Sequence, residues 1–311
     1  MGKFVVIALG GNAILQPKQK GTAETQYQNI YATCEHIATL LKSGYKVLLT
    51  HGNGPQVGNI LLQQDEAKEV VAPMPLDVCG SMSQGFIGYM FQRAMRNVLK
   101  KNNMEKEVTT LVTQVKVDKN DPAFKNPTKP IGPFYSEDEA KKLISKGYDM
   151  VEDSGRGWRR VVPSPNPIGV MEEKSILQLI ENDNLVIASG GGGIPVVEGE
   201  TLEGIEAVID KDLAGQRLAM DAKADSFVIL TDVDHVYINF NTPEQKKLGK
   251  ITVAEIEKYV DEGHFKAGSM GPKVEAALRF VKATDQPAII ASLNSVLDAL
   301  EHKSGTIIVP E

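Results

Sequence analysis

Two lysines stand where a cation is electrostatically disfavoured, and each follows a glycine-bearing loop. Lys211 lies in the run Gly204-Ile205-Glu206-Ala207-Val208-Ile209-Asp210-Lys211-Asp212, and Lys273 in Gly268-Ser269-Met270-Gly271-Pro272-Lys273. Both fall in the first turn of an expected helix, where the dipole disfavours a positive charge by some tenths of a kcal/mol. The placement makes sense if an anion sits over each helix N-terminus, and phosphate is the usual one. The chemistry to expect is phosphoryl transfer, which needs positioning and charge neutralisation more than a covalent nucleophile. Asp210 is either the N-cap of its helix beside a solvated lysine, or a group that orients the lysines or helps to hold Mg²⁺.

Four glycine loops accompany these lysines: Gly10-Gly11-Asn12, Gly52-Asn53-Gly54, Gly190 to Gly193, and the loop before Lys273. Each follows an expected strand or opens a helix, and ligands of parallel sheets sit beyond the carboxyl ends of the strands. One such loop is explained by a tight turn. Four on one edge suggest backbone N–H groups brought close to phosphate oxygens. None is a Walker A loop, and no G-x-G-x-x-G follows the first strand, which argues against NAD. Asn12 and Asn53 are either turn asparagines or hydrogen-bond donors to a small acceptor. His51 reads as a structural histidine at least as well as a catalytic one.

The elements that must position these residues alternate between strand and helix. Strands are expected at Phe4 to Leu9, Lys46 to Thr50, Val108 to Val115, Leu185 to Ser189, Ser226 to Thr231, Ala288 to Ser292 and Thr306 to Val309. The continuous apolar runs are those of buried parallel strands. Helices are expected from about Thr22 to Leu41, Pro55 to Lys68 and Asp77 to Lys100, and capping boxes start others at Ser136/Glu139 and Thr252/Glu255. The fold class is therefore α/β, an open and mainly parallel sheet with helices on both faces. Residues 118–168 break the rhythm. They hold seven of the sixteen prolines and the only tryptophan, Trp158, beside Arg156, Arg159 and Arg160. A structureless loop of that length is unusual, so an inserted, protruding subdomain is expected, either a lid or a structural or dimer contact.

Composition bounds the rest. The 311 residues suffice for one large domain or two lobes, and a net charge of −6 argues against broad nucleic-acid binding. Cys34 and Cys79 form no C-x-x-C pattern, which argues against a disulfide framework or zinc site and fits a reducing cytoplasm. The apolar start runs into Gly10-Gly11-Asn12 like a first strand rather than a signal peptide. No apolar stretch approaches the roughly 18 residues of a membrane span.

Six segments together resemble the carbamate kinases of the amino acid kinase superfamily. They are Ala8-Leu9-Gly10-Gly11-Asn12-Ala13, His51-Gly52-Asn53-Gly54-Pro55-Gln56-Val57-Gly58, Asn126-Pro127-Thr128-Lys129-Pro130-Ile131-Gly132-Pro133, Gly190 to Pro195, Val208-Ile209-Asp210-Lys211-Asp212, and Gly268 to Lys273. The resemblance spans essentially the whole chain. It implies an α/β/α sandwich, a homodimer, and reversible phosphoryl transfer from ATP with Mg²⁺ to carbamate, giving ADP and carbamoyl phosphate. It implies a role in ATP supply at the end of arginine degradation by the deiminase route. Residues 1–182 would form an N-terminal lobe binding carbamate or carbamoyl phosphate through Gly10, Gly11, Asn12, Gly52, Asn53 and Gly54. Residues 183–311 would bind the nucleotide through Gly190, Gly191, Gly192, Lys211, Asp232, Met270 and Lys273, with Mg²⁺ held mainly by nucleotide phosphates. Lys211, Lys273 and Asp210 would be catalytic. Many superfamily relatives carry a lysine at the position of Ala8, and Lys129 of the insert is the candidate to supply that missing charge. Another kinase of the superfamily, acting on an amino-acid carboxylate or a small phosphate, and a non-catalytic nucleotide-binding protein are the competing readings.

Overall fold

The computed structural model describes residues 3–153, 155, 157–266 and 269–311; Arg156 and Gly268 lie outside them. An eight-stranded sheet forms the centre, in the order β15-β17-β16-β12-β1-β2-β9-β3. Its strands are β1 (Phe4–Leu9), β2 (Lys46–His51), β3 (Val108–Thr110), β9 (Leu185–Ile187), β12 (Ser226–Thr231), β15 (Lys250–Thr252), β16 (Ala288–Ser292) and β17 (Thr306–Val309). Only the β16/β17 pairing is antiparallel.

The alternation of side chains along β1 explains the layers. Val6 and Ala8 enter one core with α5 (Glu173–Glu181), α6 (Lys211–Asp221), α7 (Val253–Asp261) and α8 (Met270–Thr284). Val5, Ile7 and Leu9 enter the other with α1 (Ala23–Lys42), α3 (Leu76–Lys101) and α9 (Val296–Leu300). Because both faces are covered, the strand is apolar throughout rather than alternating. Thr22 caps α1, accepting from Thr25 N at 3.2 Å, and the capping boxes at Ser136/Glu139 and Thr252/Glu255 are both formed.

The expected strand from Val108 to Val115 is two strands in two sheets. β3 pairs with β9, while β4 (Gln114–Val117) joins a separate sheet, β11-β10-β4-β8, with β8 (Pro167–Val170), β10 (Ile194–Glu198) and β11 (Leu202–Gly204). The break is made by Gln84 of α3. Its Oε1 accepts from Thr113 N at 2.8 Å and its Nε2 donates to Thr113 O at 3.1 Å, so the backbone spends its hydrogen bonds on a side chain and turns. β9 likewise stops at Ile187, and Ser189 takes a left-handed conformation (φ 50°) whose carbonyl accepts from Thr50 Oγ1 at 2.9 Å.

Regular structure in the insert comprises β5 (Lys129–Tyr135), α4 (Glu137–Ile144), β6 (Met150–Glu152) and β7 (Trp158–Val162), with the antiparallel order β5-β7-β6. Pro167 and Ile168, at the end of the expected 118–168 span, already belong to β8. The insert docks on α2 (Gly54–Ala67) through two glycines: a Cβ on Gly58 would lie 2.3 Å from Gly132 Cα. Gly132 itself has φ +73°, a conformation that β-carbon-bearing residues rarely adopt. Arg159 Nη2 donates to Gly132 O at 3.0 Å and Tyr148 OH donates to Asp65 Oδ1 at 3.2 Å, fastening the same edge. A short hairpin, β13 (Val236–Ile238) with β14 (Lys246–Leu248), completes the chain.

Candidate active site

Adjacent parallel strands end at the same level, so the glycine loops after β1, β2 and β9 converge. They open on a cavity of about 210 Å³ lined by Gly11, Gly52, Asn53, Gly54, Gly191, Asp210, Lys211, Asp212, Ser269, Lys273 and, from the insert, Lys129 to Ile131. Three lysines against two aspartates leave this lining with one net positive charge, in a chain whose net charge is −6. An anion is the ligand such a cavity suits.

Both lysines take the places expected of them. Asp210 is the N-cap of α6, its Oδ1 accepting from Asp212 N at 2.9 Å and Leu213 N at 3.4 Å, which puts Lys211 at the first helical position. Lys273 lies in the first turn of α8. The stem of Lys211 runs over the bare Cα of Gly52, where a Cβ would come within 3.1 Å of Lys211 Cδ.

The lysines are held together by Asp212, which the sequence places beside Lys211 without giving it a role. Asp212 is 2% exposed; Oδ1 accepts from Lys211 Nζ, and Oδ2 accepts from Lys273 Nζ at 3.2 Å. A carboxylate at the second position of a helix is also well placed against the dipole. Asp210, expected to orient the lysines, caps α6 and takes the third one, Lys129, whose Nζ donates to Oδ2 at 2.6 Å. Burial pushes the Asp210 carboxyl upward. The Lys129 charge and hydrogen bond, the Lys211 charge and the Asp212 N–H outweigh that and hold it at about 2, so the carboxylate is ionised at neutral pH.

Lys129 reaches this place from the insert, as its candidacy requires. The position it was expected to compensate, Ala8, is fully buried, and a Cβ on Gly215 of α6 would stand 3.3 Å from Ala8 Cβ.

The remaining expected residues divide. Gly11, Gly52, Asn53, Gly54 and Gly191 line the lysine cavity. Gly190 and Gly192 lie beneath it, packed against His51 and Ile209 so closely that a Cβ would approach within 2.6 Å and 2.4 Å. Gly10 and Asn12 line a neighbouring cavity of about 430 Å³ that also contains Asp232. Asp232 and Met270 line a third, of about 410 Å³, with Tyr237, Phe240, Phe265 and Ser269. Ser269 borders both this aromatic cavity and the lysine cavity, which places the two side by side.

His51 is structural in its surroundings. It is 1% exposed, its ring stacks on Phe91 at 5.6 Å, and Nδ1 lies 2.9 Å from Gly52 O. Burial lowers its pKa to about 4, the Lys211 charge adds to the lowering, and the Gly52 hydrogen bond opposes it only in part. Among the described residues no three His, Cys, Asp or Glu side chains cluster to hold a metal.

Comparison with known proteins agrees with this geometry. Residues 3–292 match the family model described as Amino acid kinase family. The carbamate kinase of Thermococcus kodakarensis is 57% identical over 315 residues, covering 99% of this chain and 100% of that protein. Carbamate kinase 1 of Enterococcus faecium is 52% identical over 298 residues, 95% of each. The solved structure of carbamate kinase from Giardia lamblia bound to AMP-PNP superposes with a TM-score of 0.94 at 51% identity, over 100% of this chain and 99% of that one. The chain belongs to the amino acid kinase family, on its carbamate kinase branch, and is a phosphotransferase.

Proposed function

We propose that the chain catalyses the reversible transfer of a phosphoryl group between ATP and carbamate, with carbamoyl phosphate and ADP on the other side. The observation that carries this is the cluster of Lys129, Lys211 and Lys273 around a small glycine-lined cavity that meets a larger aromatic one at Ser269. The nucleotide base occupies the aromatic cavity beside Asp232 and Met270, and its phosphates run past Ser269 to the lysines. The cavity of about 210 Å³ has room for an acceptor as small as carbamate beside the transferred phosphoryl group.

Transfer is direct and in line. Toward ATP, a β-phosphate oxygen of ADP attacks the phosphorus of carbamoyl phosphate, and the bond from phosphorus to the carbamate oxygen breaks. Lys211 and Lys273 neutralise charge on the moving group, and backbone N–H groups of the loops at Gly11 and Gly52 to Gly54 donate to its oxygens and to carbamate. Each ammonium carries three donors, and Asp212 takes one from each lysine, leaving others for phosphate oxygens. Lys129 closes the cavity from the insert, adding charge and excluding water from a labile product. The carboxylates of Asp210 and Asp212 are engaged by lysines, so the site fits a Mg²⁺ carried in by the nucleotide phosphates, whose oxygens supply most of its ligands. When bound, Mg²⁺ neutralises phosphate charge.

The same reading extends to a homodimer, to the cytoplasm, and to ATP supply at the end of arginine degradation by the deiminase route. No helix among the described residues is long and apolar enough to cross a membrane. Purified protein given ADP, Mg²⁺ and either carbamoyl phosphate or acetyl phosphate tests the acceptor. Rapid ATP formation selective for carbamoyl phosphate is expected; equal rates with acetyl phosphate would refute a carbamate-specific site.

A further inference from the structure

The mechanism above uses backbone donors at Gly52 to Gly54, yet nothing in it explains what holds those peptides at the right angle. The residue immediately before them is a fully buried histidine with no direct part in the chemistry. His51 ends β2 in register with Leu9, so its ring is fixed between the sheet and Phe91 of α3. Among the described residues the ring's polar contact is Nδ1 with Gly52 O, at 2.9 Å. A carbonyl accepts and cannot donate, so Nδ1 carries the proton and the ring is the neutral Nδ1–H tautomer. On its other side the ring fills the space beneath Gly190, where a Cβ would stand 2.6 Å from Nε2.

We infer that His51 is a positioning residue for phosphoryl transfer: by donating from Nδ1 to the Gly52 carbonyl it fixes the Gly52–Asn53 peptide so that the Asn53 N–H faces the reacting phosphoryl group. This rests on the phosphotransfer reading of the cavity. In a planar trans peptide the C=O and N–H point in opposite directions. A carbonyl held down against the ring therefore turns the Asn53 N–H up toward the cavity that Gly52 and Asn53 line. Were the peptide to flip, the cavity would receive a carbonyl oxygen, which repels phosphate. The bond has a second consequence, because the stem of Lys211 lies over Gly52 Cα. Rotation of that peptide would displace the lysine as well.

The same loop is tied from its other end. Asn53 Nδ2 donates to Ser83 Oγ at 2.7 Å, and Gln84 Nε2 donates to Gly190 O at 3.0 Å, so α3 anchors both glycine loops that His51 separates. His51 is the member of this buried layer that acts on the peptide itself rather than on a side chain or the far loop.

Two variants and one measurement on the unaltered protein test this. Nitrogen NMR of the His51 ring at neutral pH should show Nδ1 protonated and Nε2 bare; the opposite tautomer overturns the inference whatever the enzyme's activity. His51→Leu fills the volume without a donor and should lower kcat for ATP formation at least about tenfold with KM for ADP changed far less. His51→Asn places an amide N–H near the Nδ1 position and should recover most of that loss, although it packs worse. A Leu variant that folds and turns over normally, or an Asn variant slower than Leu, would leave His51 a packing residue only. Failure of the wild-type protein to make ATP would instead strike the phosphotransfer reading and leave the tautomer result standing.

Discussion

The floor of the site and the insert that covers it are built by opposite means. The floor consists of loops at the ends of neighbouring parallel strands, backed by residues that are almost wholly buried: His51 at 1% exposure and Asp212 at 2%. The insert is a small antiparallel sheet of its own, fastened by the contact between Gly58 and Gly132 and by the bridge from Lys129 to Asp210. The floor is thus fixed by folding of the whole sheet, whereas one of the three site cations depends on the docking of the insert, where Ile131 and Val162 are buried against Val57, Ile60, Leu76 and Cys79 and Gly132 meets Gly58. Lys211 and Lys273 belong to the floor, and Lys129 comes from the insert.

The largest test strips the floor. Lys211→Ala should cost about 3–4 kcal/mol of transition-state stabilisation, a loss of roughly 10²–10³ in turnover, with the fold unchanged. Single-turnover rates in the ATP-forming direction read this directly. A folded variant with near-normal turnover would remove Lys211 from the chemistry and break the contrast at its stronger side.

Acid should weaken the same floor through His51. Unfolded, its imidazole titrates near 6.5; folded, burial holds it at about 4. Between those values the unfolded chain binds more protons, so stability rises with pH. The contribution of about 3 kcal/mol is fully present above pH 6.5 and is lost as pH falls through 4. Urea unfolding midpoints at pH 7 and pH 4.5, compared for the native chain and His51→Leu, should show a smaller drop in the variant. Equal drops would mean that His51 is protonated in the folded protein.

The insert is probed by two substitutions that remove one charge by different routes. Lys129→Ala removes the insert's charge and its hydrogen bond to Asp210 and should lower turnover while the protein stays folded, read by circular dichroism beside the rate. Gly58→Ala drives a methyl into Gly132 and should displace the insert, with a stability loss of about 1–3 kcal/mol. If docking delivers Lys129, the second change should add little to the first in the double variant. Full additivity in turnover would show that the two act independently.

Much of this architecture can be read along the chain because the physics is local. The all-apolar run of β1, the cap of α1 at Thr22 and the two capping boxes depend on residues within a few positions of one another. Lys211 and Lys273 were visible for the same reason, each misplaced against its own helix dipole. The division of 108–115 was not visible, since the hydrogen bonds that divide it come from Gln84, 29 residues earlier. The role of Asp212 was not legible because an acid in a first turn looks like ordinary dipole pairing until Lys273, 61 positions away, arrives on its other oxygen. Lys129 came into view through resemblance and the gap at Ala8, and its bridge to Asp210, 81 positions away, exists only in three dimensions.

The central claim is that the lysine-ringed floor transfers a phosphoryl group and does not merely bind one. It is met most directly by measuring ATP formation from carbamoyl phosphate, ADP and Mg²⁺ for the native chain and Lys211→Ala side by side, with ADP binding recorded by calorimetry for both. Fast turnover in the native chain, a loss of two to three orders of magnitude in the variant and ADP binding retained in both is the predicted result. ADP bound by the native chain with no ATP made above the uncatalysed rate would contradict it.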